Sequence, residues 1–142
     1  METKLYFTIE ELNNIGKSTL VENLGIIITE LDENHITAEM PVDERTVQPF
    51  KILHGGANLA LAETIGGALS LAIMDPEKYM IKGIEINANH IKSVPKGEKV
   101  TATATFLHKG RSSHITQISI KNSNNNLVSI SRLTNFIQKK KA

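Results

Sequence analysis

One ionisable side chain interrupts an otherwise apolar stretch. From Gly55 to Met74 the chain reads GGANLALAETIGGALSLAIM, and Glu63 carries its only charge. A carboxylate among Leu, Ile, Ala and Gly is costly unless it is paired or hydrogen-bonded. No lysine or arginine lies within four residues of it, so an ion pair along the helix has no candidate partner. Such a group suits general-base or nucleophilic work. Just upstream stands His54-Gly55-Gly56. Free amides at a helix start, with no Cβ beside them, can come close to a developing oxyanion. Gln48, in the loop before, offers a neutral amide to position water or a carbonyl oxygen, and Thr64 sets a hydroxyl next to the acid. Each has a plainer reading: a loop histidine packed on a sheet, a tight turn, a solvated loop amide, a hydroxyl bonded back to its own helix.

Spacing turns these residues into a claim about assembly. Gly55 and Glu63 are eight residues apart on one expected helix, so roughly 12 Å apart along its axis at about 1.5 Å per residue. They cannot serve one carbonyl from the same chain. If both act in one site, two copies contribute, related by a two-fold axis.

The elements that must hold this constellation read as follows. Thr8-Ile9-Glu10-Glu11 fits a capping box, with a short helix over Glu10–Asn14 stopping at Gly16. A helical turn is expected around Thr19–Asn23. Leu24–Leu31 and His35–Met40 read as a hairpin about Asp32-Glu33-Asn34, and Pro41–Lys51 as a loop. A helix over Ala57–Met74, apolar nearly all round, is expected to be buried and to end at Asp75-Pro76. Four strands follow, over Met80–Ile91, Lys99–His108, Ser113–Lys121 and Leu127–Ile137. Their alternation predicts an antiparallel sheet with one covered face. Lys139-Lys140-Lys141 reads as a solvated, frayed tail. The class is α+β, with a curved sheet wrapped around one long helix, in a single domain over residues 1–142.

Composition narrows the chemistry. A net charge of +1 makes no case for nucleic acid. The absence of cysteine removes a thiolate nucleophile, disulfides and Cys-ligated metal. His35, His90, His108 and His114 lack metal-ligand spacing, so no metal is expected. No phosphate-binding glycine loop, dinucleotide fingerprint or G-x-S-x-G elbow is present. The chain has no signal-like start and no long uncharged apolar segment, which sets the expectation of a cytoplasmic protein without a membrane partner. Lys92, Lys109 and Arg111 fall at strand ends or turns, where they could hold phosphates.

A family resemblance runs from about Ile9 to Ile137. Met40-Pro41-Val42-Asp43, Gln48-Pro49-Phe50, His54-Gly55-Gly56-Ala57 and Leu61-Ala62-Glu63-Thr64 resemble the hotdog-fold acyl-CoA thioesterases with a catalytic carboxylate on the central helix. Gly83-Ile84-Glu85-Ile86-Asn87-Ala88-Asn89-His90 and Ser131-Arg132-Leu133-Thr134 are similar to the 1,4-dihydroxy-2-naphthoyl-CoA hydrolase and 4-hydroxybenzoyl-CoA-type (aryl-CoA) branches. The resemblance implies a homodimer with a continuous sheet, doubled to a homotetramer. It implies Glu63 as nucleophile or general base, His54 and Gln48 as groups orienting thioester and water, and the Gly55 N–H as the donor to the thioester carbonyl. Thr64 stands where relatives often have Ser. Gly83, the stretch His90, Ile91, Lys92, Ser93, and the stretch His108, Lys109, Gly110, Arg111, Ser112, Ser113 match CoA-contacting positions. Relatives tend to carry Arg at the position of Lys92 and a second basic residue at that of Ser112, so this chain has less bidentate capacity for phosphate.

The expected reaction is hydrolysis of an acyl-CoA, of aryl-CoA type, to acid and CoA, with CoA entering as substrate and no cofactor. The acyl pocket is expected near Phe50, Leu59 and Ala68. Quinone (menaquinone) synthesis, aromatic catabolism and acyl-CoA clearance stay open as settings. Two rivals are an acyl-thioester hydratase or dehydratase on the same fold and a non-catalytic acyl-CoA-binding module.

Overall fold

Alternation of small apolar and hydroxyl-bearing residues builds the sheet. In β4 (Lys99–Lys109), Val100, Ala102 and Ala104 are fully buried while Thr101, Thr103 and Thr105 face the other way. The same period places His114, Thr116, Ile118 and Ile120 inward on β5 (Ser113–Asn122). On β6 (Leu127–Lys139) it places Ser129, Ser131, Leu133, Asn135 and Ile137 inward. A computed structural model describes residues 3–141. With β1 (Ile27–Leu31), β2 (His35–Pro41) and β3 (Tyr79–His90), these strands form one six-stranded antiparallel sheet in the order β1-β2-β4-β5-β6-β3.

The long helix is α3 (Gly55–Ala72), and five strands contact it. Ala57, Asn58, Leu61, Ala62, Ile65, Gly66, Leu69 and Ser70 are buried, a pairwise 3–4 spacing that keeps one face on the sheet. The opposite face does not match the expectation of complete burial. Gly56 and Glu63 are exposed, and Leu59, Ala60 and Gly67 are only half-buried. Between these faces lie α1 (Ile9–Ile15) and α2 (Leu20–Asn23), and the Tyr6 N–H reaches the Ala72 carbonyl at 2.8 Å. The helix-in-sheet arrangement is the hotdog fold.

Several boundaries move for local reasons. The α3 helix opens at Gly55, because His54 is its N-cap, and it stops at Ala72 rather than Met74. The strand expected from Leu24 begins only at Ile27: Leu24 caps α2, and Gly25 takes φ 72°, which ends the extended run before it starts. The α1 capping box forms as expected, with Thr8 Oγ1 accepting from the Glu11 N–H at 3.1 Å and Glu11 Oε2 from the Thr8 N–H at 2.8 Å. The basic end is not a frayed tail. Lys139 pairs with Tyr79 inside the sheet, and the Lys140 N–H donates to the Lys78 carbonyl at 2.8 Å. At the sheet edge, β3 pairs only with β6.

Candidate active site

The start of α3 is held from three sides. The His54 N–H donates to the Thr46 carbonyl at 2.8 Å, across a short hairpin closed by the Val47–Leu53 bridge. Its carbonyl accepts from Ala57 and Asn58, and its Nδ1 accepts from the Gly56 N–H at 2.7 Å. A ring whose Nδ1 is an acceptor carries its neutral-state proton on Nε2, so His54 presents a donor outward. The Gly55 N–H belongs to the first turn, whose amides have no partners within the helix. A side chain at Gly55 would collide with His90: its Cβ would lie 2.8 Å from His90 Nε2. His90, the last residue of β3, is steadied by Ser129 Oγ, 3.3 Å from Nδ1. The imidazole therefore packs against the helix start, whereas the resemblance implies only a CoA contact for His90.

Two hollows flank this point. One, of about 200 Å³, joins Gly55 and His90 to Ile91, Lys92 and Ser93, with Ile52, Leu53 and Asn58 completing it. The other, of about 270 Å³, lies beyond His54 and Gly56 against Leu20, Leu24, Val47 and Ala60. Farther along α3, a third hollow of about 280 Å³ runs under α1 and α2, past Thr64, Ala68 and Leu71. Of the residues expected at the acyl pocket, Ala68 lines this third hollow. Phe50 is 85 % exposed at a loop tip, and Leu59 lies on the half-open face of α3.

Glu63 projects from α3 eight residues beyond Gly55, at the other end of the α3–β3 pair. It is exposed, and no lysine or arginine of the described residues pairs with it. Its Oε1 hangs over Gly83, 2.9 Å from where a Cβ there would sit. Gly83 adjoins a bulge in the β3–β6 ladder. The expected burial of the carboxylate is thus absent within one copy of the chain.

The remaining expected residues divide. Gln48 turns inward on its own loop, where its Oε1 accepts from the Phe50 N–H; its amide nitrogen is left for another partner. The Thr64 hydroxyl donates to the Ala60 carbonyl at 2.7 Å, so only its oxygen lone pairs remain for a ligand. The turn holding His108, Gly110, Arg111, Ser112 and Ser113 is not at the Gly55 hollow. It lies beside Phe136 and Ile137, about 23 Å along β6 from the Ser129–His90 pair at about 3.3 Å per residue. That is the Glu63 end, since Gly83 pairs with Asn135 and Asn135 with His114. Lys109 is engaged locally, 3.2 Å from Asn34 Oδ1 and 5.2 Å from the centre of the Phe106 ring.

A buried polar cluster behind Glu63 escaped the sequence reading. Asn135 Nδ2 donates to the Gly66 carbonyl at 3.0 Å and to Ser70 Oγ at 2.9 Å, and Ser70 Oγ lies 3.1 Å from His114 Nδ1. Burial pushes the His114 imidazole down to about 4, helped by the charges of His108 and Lys109. The available signal was positional: His114 and Asn135 fall at inward points of their strands' alternation. Among the described residues no cluster of acids and histidines could hold a metal ion, and no helix is long and apolar enough to cross a membrane.

The family pattern described as "Thioesterase superfamily" matches residues 50–129, which include the α3 start, Glu63, β3 and the β4–β5 turn. A Haemophilus influenzae thioesterase of known crystal structure is 43 % identical, with a TM-score of 0.91 over 98 % of this chain and 96 % of its own. A glutamine-to-alanine variant of a Pseudomonas aeruginosa thioesterase is 36 % identical, with a TM-score of 0.93 over 99 % of this chain and 100 % of its own. A glutamine-to-alanine variant of a Staphylococcus aureus thioesterase is 39 % identical, with a TM-score of 0.81 over 84 % and 98 %. Sharing their fold along nearly its whole length, the chain belongs to the thioesterase superfamily and is a thioester hydrolase.

Proposed function

We propose that the chain hydrolyses acyl-CoA thioesters, of aryl-CoA type, at a site shared by two copies. The observation that carries this reading is the separation of two half-sites on one helix. Gly55 with His90 occupies one end of the α3–β3 pair, and Glu63 with Gly83 the other. A two-fold axis near Leu59 sets Gly55 against Glu63 of the partner subunit. On β3, the same pairing of half-sites sets His90 beside Gly83 of the partner subunit, with the axis near Ile86–Asn87. It also covers the half-open face of α3, pairs the free edge of β3, and supplies the apolar surroundings that Glu63 lacks in one copy.

In this site the Gly55 N–H, at the positive end of α3, polarises the thioester carbonyl. Glu63 takes a proton from water as the water oxygen bonds to the carbonyl carbon, or attacks that carbon itself to form an anhydride that water then opens. In the first route collapse breaks the carbon–sulfur bond and the leaving thiolate takes the proton that Glu63 holds; in the second the bond breaks as the anhydride forms, and the water that opens the anhydride supplies the proton. His54 Nε2–H and the Gln48 amide hold thioester and water. Water and thioester suffice for the balance, so no metal or redox cofactor is called for. The acyl group extends into the hollows by Ala60 and Ala68, and the CoA arm into the hollow by Lys92. Lys92 and Arg111 of the partner subunit meet its phosphates. A second pairing of dimers gives the tetramer.

Thiol release, measured over a series of aryl- and alkanoyl-CoA esters, tests the reading. The expected result is turnover with the highest kcat/KM on aryl esters. Tight binding without thiol release would replace it with a binding module, and a change in enoyl absorbance with a hydratase. Sedimentation should return an even number of copies.

A further inference from the structure

Apolar contacts hold α3 on the sheet without fixing where along it the helix lies. Leu61, Ile65 and Leu69 are fully buried, and attraction of this kind has no direction. Among the described residues, the sheet's side-chain hydrogen bonds to α3 gather at one point. Asn135 on β6, fully buried, gives its Nδ2 protons to the Gly66 carbonyl at 3.0 Å and to Ser70 Oγ at 2.9 Å. The helix comes this close because Gly66 has no side chain: a Cβ there would lie 2.7 Å from Thr116 Oγ1 and from Leu133 Cδ2. Two places to either side of Asn135 on the same strand stand Leu133 and Ile137, both buried. An amide between them is costly, since its Oδ1 is buried with no partner among the described residues. Stability alone would favour an apolar side chain there, and rules of packing are broken in this way at functional sites.

Asn135 also joins two particular segments. Its backbone pairs with Gly83 of β3, and Glu63 Oε1 lies over that same glycine, 2.9 Å from the site of a Cβ. Gly66 lies three residues beyond Glu63, a rise of about 4.5 Å. One residue thus spans from the helical turn after Glu63 to the strand beneath it. We propose that Asn135 is a positioning residue for the hydrolysis: it pins α3 to the sheet so that the Glu63 carboxylate is held at one height over Gly83. This rests on the reading above that Glu63 is the base or nucleophile. Ser70 carries the hold on to β5, where His114 Nδ1 lies 3.1 Å from Ser70 Oγ. Asn135 is sealed beneath the helix and acts on the reaction only through Glu63.

The test is Asn135→Leu, which is similar in size and lacks the hydrogen bonds. Benzoyl-CoA reports the rate. Phenacyl-CoA, in which a methylene between sulfur and carbonyl blocks hydrolysis, reports binding. Per folded molecule, the variant should lose about tenfold in kcat through misplacement of the carboxylate, with phenacyl-CoA affinity unchanged. An amide that serves stability alone would lower the urea midpoint and leave kcat per folded molecule as it was. That result overturns the proposal, as does a loss carried by phenacyl-CoA affinity in place of kcat. Should Asn135→Leu fail to fold, Ser70→Ala decides. It removes one of the two acceptors and should lower kcat about threefold with phenacyl-CoA affinity unchanged; an unchanged kcat overturns the proposal. Glu63→Gln judges the underlying reading separately. An inactive Glu63→Gln beside a fully active Asn135→Leu removes this inference alone, whereas a fully active Glu63→Gln removes both.

Discussion

Glu63 is open to solvent in one copy of the chain, yet it is the acid that the helix isolates from every counter-charge along its length. Its Oε1 hangs over Gly83, 2.9 Å from where a Cβ there would sit. Replacement by glutamine keeps the shape and removes the base, so Glu63→Gln should cut kcat by about a thousandfold or more, with the melting temperature held within a few degrees. Unchanged turnover would end the assignment. Gly83 gives a subtler check. A Cβ there would push against the mobile end of Glu63 rather than against backbone. Gly83→Ala should therefore fold normally but lower kcat about tenfold by misplacing the carboxylate; a stable, fully active variant would show that this contact does not set the geometry.

At the scale of elements, α3 is apolar all round because different things cover its sides. The sheet takes one face, α1 and α2 a second, and a partner copy, in the proposed assembly, the third. Where the helix touches the sheet most closely, a glycine makes room: a Cβ on Gly66 would sit 2.7 Å from Leu133 Cδ2 and from Thr116 Oγ1. Gly66→Ala thus pits a gain in helix propensity against overpacking. The overpacking should win, at a net cost of about 1–2 kcal/mol readable as a lower urea midpoint. Thr8→Ala should cost about 1 kcal/mol through loss of the capping box, with no change in the thiol-release rate per folded molecule.

For the whole molecule, the sharing of the site can be counted. Glu63→Gln and His54→Ala should each be inactive alone. When the two are unfolded and refolded together, half of the dimers are mixed and each mixed dimer holds one intact site, so activity should return to about a quarter of wild type. No recovery would place both residues in the same copy's site. Acid stability depends on His114. Its folded value is about 4 against an ordinary 6.5, so the unfolded chain takes up a proton that the folded chain refuses. The stabilisation is complete above about pH 6.5 and is lost as pH falls toward 4, a change of roughly 3 kcal/mol at about 1.4 kcal/mol per unit. Urea midpoints at pH 7.5 and 5 should differ more for wild type than for His114→Gln; an equal difference would assign the acid sensitivity elsewhere.

Periodicity and caps are local, and they made the α+β class, the capped α1, the one long helix and the four late strands readable from the residues in order. The candidate acid was readable for the same reason: its neighbours along the chain define its isolation. If Gly55 and Glu63 act in one site, the eight-residue gap between them calls for two copies, because helical rise is a constant. What lies beside each residue depends on contacts between segments far apart in sequence. Only the folded chain could set His90 against Gly55, Gly83 under Glu63, and Asn135 and His114 behind them. It also placed the turn at His108–Ser113 at the Glu63 end and withdrew the Thr64 hydroxyl into its own helix. Alternation shows which way a strand residue points. Strand order and register decide what it meets.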